Sequence, residues 1–244
     1  MKPCKICALA CALAIAAPAA HAVEFHGGDV SLSFSRFEDD LIGPSSSTSF
    51  GKTAVQGSFQ FDLTPDFGVQ VDASYFEFDR VDQSEVSLGL HGIYYLDWAT
   101  AVGVYYTHEE LLSSNVDELG VEGSRSFALF DVEANLGWAE YRGNHATVLG
   151  LQADYELQPQ LFMGLGLDHA DFDGATELTR VGVGIDYAVT DSLRLSGELG
   201  VTDATVMGSS ADDIFIEIGA SYAFGTSEGA RFSRRGLLDR LPGL

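Results

Sequence analysis

The feature that most constrains this chain is an alternation of apolar with small or polar residues, period two, repeated along most of its length. In VGVGIDYAVTDSLRLSGELGV, Val181, Val183, Ile185, Tyr187 and Val189 alternate with Gly, Asp and Ala. A polar tip follows, and Leu193, Leu195, Leu199 and Val201 resume the pattern. Side chains on a strand point to opposite faces in turn, so this period predicts strands and not helices. The question it raises is what the apolar face meets, because the other face carries glycine and acid.

The same alternation recurs in Val55, Phe59, Phe61, Leu63; Phe67, Val69, Val71, Ala73, Tyr75; Val86, Leu88, Leu90, Tyr94, Leu96; and Val102, Val104, Tyr106. It continues in Phe130, Val132, Ala134, Leu136, Trp138; Leu149, Leu151, Ala153, Tyr155, Leu157; Leu161, Met163, Leu165, Leu167; and Ile214, Ile216, Ile218, Ala220, Tyr222, Phe224. Short connections (LTPDF, YLDWA, LQPQL, AVTDSL) alternate with longer acidic or Ser/Gly-rich ones (EDDLIGPSSSTS, RVDQS, HEELLSSN, HADFDGAT, TDATVMGSSADD). Turns on one rim and loops on the other describe an antiparallel up-and-down barrel. Strand direction then requires two further strands between YLDWA and LQPQL, placed at residues 115–123 and 130–141. With a first strand at 29–37 the count is about twelve, even as single-chain bacterial barrels require.

The N-terminus explains where such a barrel goes. Lys2 and Lys5 precede an apolar run that ends at Ala20-His21-Ala22, the pattern of a secretory leader cleaved before Val23. Cys4, Cys7 and Cys11 leave with it, so the exported chain has neither disulfides nor thiol ligands. A lipoprotein reading at Cys11 fails because the apolar run before it is too short. The formal net charge of −23 becomes −25 without the two lysines, which argues against nucleic acid. No run of about 18 apolar residues follows the leader, so no membrane helix is expected, but strands cross a bilayer without one.

A soluble sandwich also has alternating strands. Three features favour a transmembrane barrel, and with it the outer membrane of a Gram-negative cell. The non-apolar face is rich in Gly164, Gly166, Gly182, Gly184, Gly200 and Gly219, as a narrow curved wall needs. Strands of about ten residues match a tilted bilayer crossing. Aromatics (Tyr94, Tyr95, Trp98, Trp138, Tyr155, Tyr187, Tyr222, Phe224) recur near strand ends, where interfacial girdles lie. Closure also satisfies every backbone N–H and C=O, which lipid demands.

NVDELGVEGSRSF, VGVGIDYAVTDSLRLSGELGV and the terminal EIGASYAFG resemble strands of Gram-negative porins, especially the acidic general porins of alphaproteobacteria. The resemblance is patterned rather than motif-specific. It implies an outer-membrane pore passing small hydrophilic solutes by diffusion. Two departures stand out. General porins have about sixteen strands and a long loop folded into the lumen, whereas this chain has about twelve and HEELLSSN is short. Such barrels end on the aromatic residue that the barrel-assembly machinery reads; Phe224 fits, yet twenty residues follow it.

If the apolar face meets lipid, the intervening residues line the interior. The candidate pore-lining set is Asp62, Asp72, Glu85, His91, Asp131, Glu133, Asp154, Asp168, Arg180, Asp186, Arg194, Glu198 and Glu217, with Glu156 on the same face. Carboxylates predominate in it, and such a lumen concentrates cations and repels anions. Carboxylates paired with the arginines in a filled interior are the alternative. No cofactor or metal is expected: HADFDGAT has part of a calcium-loop spacing, but Arg180 stands where the bidentate carboxylate belongs. His108, Glu109 and Ser113 have the residue types of a hydrolase triad, and His91 with Ser87 is a better-placed pair, yet neither carries a catalytic motif.

The tail, GTSEGARFSRRGLLDRLPGL, changes character. Arg231, Arg234, Arg235 and Arg240 are four of the eleven basic residues left after the leader is removed. It can fold into the acidic lumen as a plug, bind anionic headgroups through a stripe of Phe232, Leu237, Leu238 and Leu241, or stay outside. The expected organisation is therefore a signal peptide at 1–22, a barrel at 23–224 and a basic tail at 225–244. The expected function is a passive, cation-preferring outer-membrane porin. A structural or adhesion barrel without an open pore is the first rival and a lipid-modifying barrel hydrolase the second. The expected partners are outer-membrane lipid and lipopolysaccharide, the assembly machinery, and small solutes and cations. A homo-oligomer is compatible with the pattern.

Overall fold

The computed structural model describes residues 23–37, 51–79, 84–111, 114–173, 176–206, 209–225 and 229–240. Twelve strands run in chain order: β1 (Glu24–Phe37), β2 (Gly51–Thr64), β3 (Phe67–Phe78), β4 (Ser84–Tyr95), β5 (Thr100–Leu111), β6 (Ser114–Ser126), β7 (Phe130–Tyr141), β8 (Asn144–Gln158), β9 (Leu161–Phe172), β10 (Thr176–Ala188), β11 (Leu193–Val206) and β12 (Ser209–Gly225). Each pairs antiparallel with its sequence neighbours, and β1 closes the barrel on β12 from Gly27↔Gly225 to Phe37↔Phe215. No sheet edge remains, so the wall meets the demand that lipid makes on the backbone. The weakest expected strand, 115–123, is β6; the first strand begins at Glu24 rather than Asp29.

One rim carries the turns after β2, β4, β6, β8 and β10, together with both ends of the wall. The other rim differs from the sequence expectation. HEELLSSN, HADFDGAT and TDATVMGSSADD are largely strand: β5 continues to Leu111 and β6 starts at Ser114, β9 to Phe172 with β10 from Thr176, and β11 to Val206 with β12 from Ser209. Polar outward residues there, such as Asp117, Asp171 and Asp203, made strand ends look like loops. In fact they form a hydrophilic collar beyond the apolar band, where Asp117 accepts hydrogen bonds from Tyr106 Oη (2.5 Å) and His108 Nδ1 (2.8 Å). EDDLIGPSSSTS and residues 80–83 of RVDQS lie outside the described residues, as does 1–22.

The outward face below that collar is apolar all round. Val55, Val71, Leu88, Val104, Leu119, Leu149, Leu165, Val183, Leu199 and Ile218 are between 42% and 61% exposed, and together they form a continuous belt. A soluble protein does not present such a belt to water. Aromatics edge it near the turn rim, with Phe67 and Tyr94 at 4.9 Å and Phe127 and Phe130 at 4.3 Å between ring centroids. Tyr95 is the exception to the expected girdle, since it points inward and binds Gln60 and Asp62. Leu199→Arg, near mid-belt, is expected to cost about 2–4 kcal/mol in urea unfolding from phospholipid vesicles. A cost near zero would mean that the belt does not face hydrocarbon.

Candidate functional site

The interior is occupied by the chain's own C-terminal segment. At Gly225 the backbone leaves the wall with φ +107°, a left-handed conformation that favours glycine, and a Cβ there would crowd the backbone of Gly27. Residues 229–240 then climb inside the barrel from the turn rim, ending in a single helical turn, α1 (Leu237–Arg240). Of the three readings of the tail, the structure shows the one in which it enters the lumen.

Near the turn rim the Arg231 N–H donates to Gln60 (2.6 Å) and its guanidinium to the Ala99 carbonyl (2.7 Å). Phe232 packs on Ile93 and Ala101, and the Gln70 amide reads its main chain twice, accepting from its N–H (3.1 Å) and donating to its carbonyl (2.8 Å). The next two arginines diverge to opposite walls. Arg234 reaches Asp29 (2.7 Å), Ser58 and Ser31 on β1 and β2. Arg235 reaches Glu122 (3.0 Å) on β6 and Glu133 on β7, with its guanidinium over the Tyr105 ring. Glu109 accepts from the N–H groups of Leu237 (2.7 Å) and Leu238 (3.1 Å), the otherwise unpaired donors that open α1. Lys52 donates to the Leu238 carbonyl (2.8 Å), and Arg240 binds Glu118 (3.2 Å).

Burial by itself would lower the pKa of Arg234, Arg235 and Arg240, but the carboxylates beside them (Asp29, Glu133 with Glu122, and Glu118) hold all three above the ordinary value. Burial pushes the Asp239 carboxyl up, although Arg234 and Lys52 act against it. The aliphatic pair that follows Gly236 meets an apolar layer inside the far end of the barrel. Leu238 sits among Ala54, Phe76 and Phe78, and Leu237 among Val116, Ala139, Ala146, Val148 and Ala170.

Gly236, between the arginines and the leucines, has φ +121°, and a Cβ there would collide with the Glu109 carboxylate. Gly236→Ala is therefore expected to loosen the tail while every wall residue is kept. The expected readout is tryptic cleavage at the tail arginines about 10- to 100-fold faster than in the parent protein, measured on folded barrels. An unchanged rate would mean that Gly236 is not held in this conformation.

All of the expected interior residues take inward positions, in three groups. Asp72, Glu85 and His91 are buried, at 4%, 5% and 0% exposure, and line neither of the two cavities described below. His91 commits both ring nitrogens to carboxylates, Nδ1 to Glu122 (2.7 Å) and Nε2 to Asp72 (2.8 Å), so neither is offered to Ser87. His108 and Glu109 point to opposite faces of β5, the first outward to Asp117 and the second to the tail; Ser113 lies outside the described residues. Asp62 binds His26 and Tyr95 near the turn rim, and Arg194 lies over the Phe162 ring.

The third group lines what the tail leaves open. A polar cavity of about 320 Å³ lies between the tail and the β7–β12 wall, lined by Glu133, Asp154, Asp168, Arg180, Asp186, Glu198, Glu217 and, from the tail, Arg234, Arg235, Asp239 and Arg240. A second, of about 270 Å³, includes Asp131 and opens among the turn-rim residues Arg125, Ser126 and Gly229. The two adjoin, with Glu133, Gln152, Asp154 and Ser233 lining both. Toward the far end Arg180 bridges Asp168 (3.0 Å) and Glu198 beneath the apolar layer.

Sequence reasoning missed Asp29, Glu118 and Glu122 as interior groups, and it read Glu109 as part of a rim loop. Parity was the available signal: with Leu119 and Val121 outward, Glu118 and Glu122 must point inward.

The sequence matches the family model described as outer membrane protein beta-barrel domain over residues 7–224. No curated protein matches it. Among solved structures, the fold is similar to the NanC porin (9% identity, TM-score 0.62), over 80% of this chain and 98% of that one. It is also similar to the KdgM porin (11%, 0.57), over 80% and 99%. An outer membrane channel from Pseudomonas putida F1 is comparable (14%, 0.55), over 85% and 99%. At these identities the likeness is one of fold.

Proposed function

The chain belongs to the outer membrane protein beta-barrel family, and from that premise we propose that it is a passive, cation-preferring porin for small hydrophilic solutes, its passage narrowed by its own C-terminal tail. The observation that carries this reading is the charge left after the tail has docked. Seven carboxylates still line the main cavity against four guanidiniums: Glu133, Asp154, Asp168, Asp186, Glu198, Glu217 and Asp239 against Arg180, Arg234, Arg235 and Arg240. In a confined, low-dielectric passage a surplus of one sign sets which ions enter.

In this reading the turn rim faces the periplasm, the collar of Asp117, Asp171 and Asp203 faces outward toward lipopolysaccharide, and Phe224 is the residue the assembly machinery reads. Residues 1–22 are the leader removed on export. Phe224 stacks on Phe25 at 6.0 Å, which places it at the seam where the barrel closes.

The test is a planar-bilayer recording of purified protein under a potassium chloride gradient. The expected reversal potential favours potassium, and Asp154→Asn with Asp186→Asn is expected to lower the potassium-to-chloride permeability ratio about two- to fivefold. Anion preference, or no conductance in either the full chain or one lacking the tail, contradicts the reading. One observation favours the second reading, a barrel with no open pore: Leu237 and Leu238 pack into apolar clusters on the wall at the far end of the lumen. In that case the tail is a permanent filling, and its removal leaves the membrane sealed or the barrel unfolded.

A further inference from the structure

The docked tail is a peptide seated in a lumen, and its contacts show what that lumen recognises. Part of the recognition is independent of sequence. Gln60, Gln70, Glu109 and Lys52 read main-chain groups of Arg231, Phe232, Leu237 and Leu238, and the Gln70 amide takes both the N–H and the carbonyl of one residue. The rest selects side chains. Adjacent arginines splay across the lumen to Asp29 on one wall and to Glu122 with Glu133 on the opposite one, and an aliphatic pair enters the apolar layer. Glu118 and Glu122, which also hold Tyr105 and His91, are fully buried with Arg240 and Arg235 of the tail docked on them, and Asp29 and Glu133 add two more inward carboxylates. The lumen is thus charged in advance for a basic occupant.

We propose that the lumen is a binding site for oligopeptides that carry paired arginines followed by an aliphatic pair, and that these are a substrate class of the barrel, with the tail a tethered occupant of the same site. As a statement about substrate it rests on the porin reading; as a statement about binding it stands without it. A small polyamine would satisfy the carboxylates but offers no carbonyl to the Gln70 amide N–H and no aliphatic side chain to the apolar layer. A peptide satisfies all of them.

The experiment uses a barrel with a protease site in place of residues 226–228, folded into vesicles, cut, and washed with high salt. A second protein, lacking 226–244, covers the case in which the cut tail does not leave. Folding of both is checked by heat-modifiable electrophoretic mobility. Binding of a fluorescent synthetic peptide of residues 229–240 is then measured, with an R234E/R235E version and spermine for comparison.

The expected result is one-to-one binding that is at least about 100-fold weaker for the charge-reversed peptide and about tenfold or more weaker for spermine. The intact barrel, whose own tail competes at high effective concentration, is expected to bind far less of the peptide. No binding, equal binding of the charge-reversed peptide, or spermine binding as tightly would each overturn the proposal. Fluorescence does not need conduction, so the two readings fail separately. A barrel that conducts but binds no peptide sinks the site, and one that binds peptide but never conducts sinks the porin.

Discussion

Removal of residues 226–244 is expected to raise single-channel conductance about fivefold or more, with the barrel still folded. Eight-stranded barrels are filled by their own side chains, whereas sixteen-stranded ones keep an aqueous channel. Twelve strands fall between, so a single peptide threaded through the interior takes up most of the free cross-section. Among the described residues of the intact protein, two adjoining cavities lie beside the tail, the larger against the β7–β12 wall. Without the tail, the main-chain readers Gln60, Gln70, Glu109 and Lys52 line open water instead. Potassium preference should also increase, because four guanidiniums leave the lumen with the tail. Single-channel recording of the two proteins checks both effects. An unchanged conductance would mean that the tail does not limit the passage.

Arg235→Glu is expected to have the second-largest effect, expelling the tail as deletion does while keeping every residue of it. Arg235 is held by Glu122 and Glu133, and its neighbours in the lumen include Asp72 with His91 and Glu118 with Tyr105. Removing one partner from a buried ionic cluster costs about 3–5 kcal/mol, and a third carboxylate in its place adds repulsion. That shifts the docked population by roughly two to four orders of magnitude. The expected readouts are conductance near that of the tailless barrel and rapid tryptic cleavage at the remaining tail arginines. Glu122→Arg in the same chain is expected to restore part of the protection. If Arg235→Glu alone leaves the tail protected, the pairing with Glu122 and Glu133 does not hold it.

The wall was largely legible in the sequence because lipid imposes one rule on every outward position. Apolar residues at every second place gave strand, register and face together, and parity supplied even the weakly patterned β6. The interior obeys no single rule. Near the middle it is charged, as alternation implies, but at the far end Phe76, Phe78, Val116, Val148 and Phe215 are inward and apolar. Alternation fails there because both faces carry mixed residues, as in Tyr75-Phe76-Glu77-Phe78, where Glu77 points outward from the collar. The tail showed its affinity for the lumen only through its charge. Its path depends on Gly225 and Gly236 and on glutamines whose role appears only once the strands are closed. Asp72 and His91 illustrate the limit: their inward direction follows from parity, but their burial follows from Phe232, which stacks on His91 at 6.3 Å from more than a hundred residues away in sequence.

The most direct test of the account is whether the tail lies inside the folded barrel in a membrane. Ser74 Oγ on β3 donates to the Asp239 carboxylate at 3.1 Å, deep in the lumen, and the chain beyond the proposed leader contains no cysteine. A Ser74→Cys, Asp239→Cys protein, assembled in outer membranes and treated with a short thiol cross-linker, is expected to form an intramolecular link in most molecules, seen by mass spectrometry of the joined peptides. Two free thiols, with the one at position 239 labelled rapidly by a bulky membrane-impermeant reagent added to the periplasmic face, would place the tail outside and contradict the account.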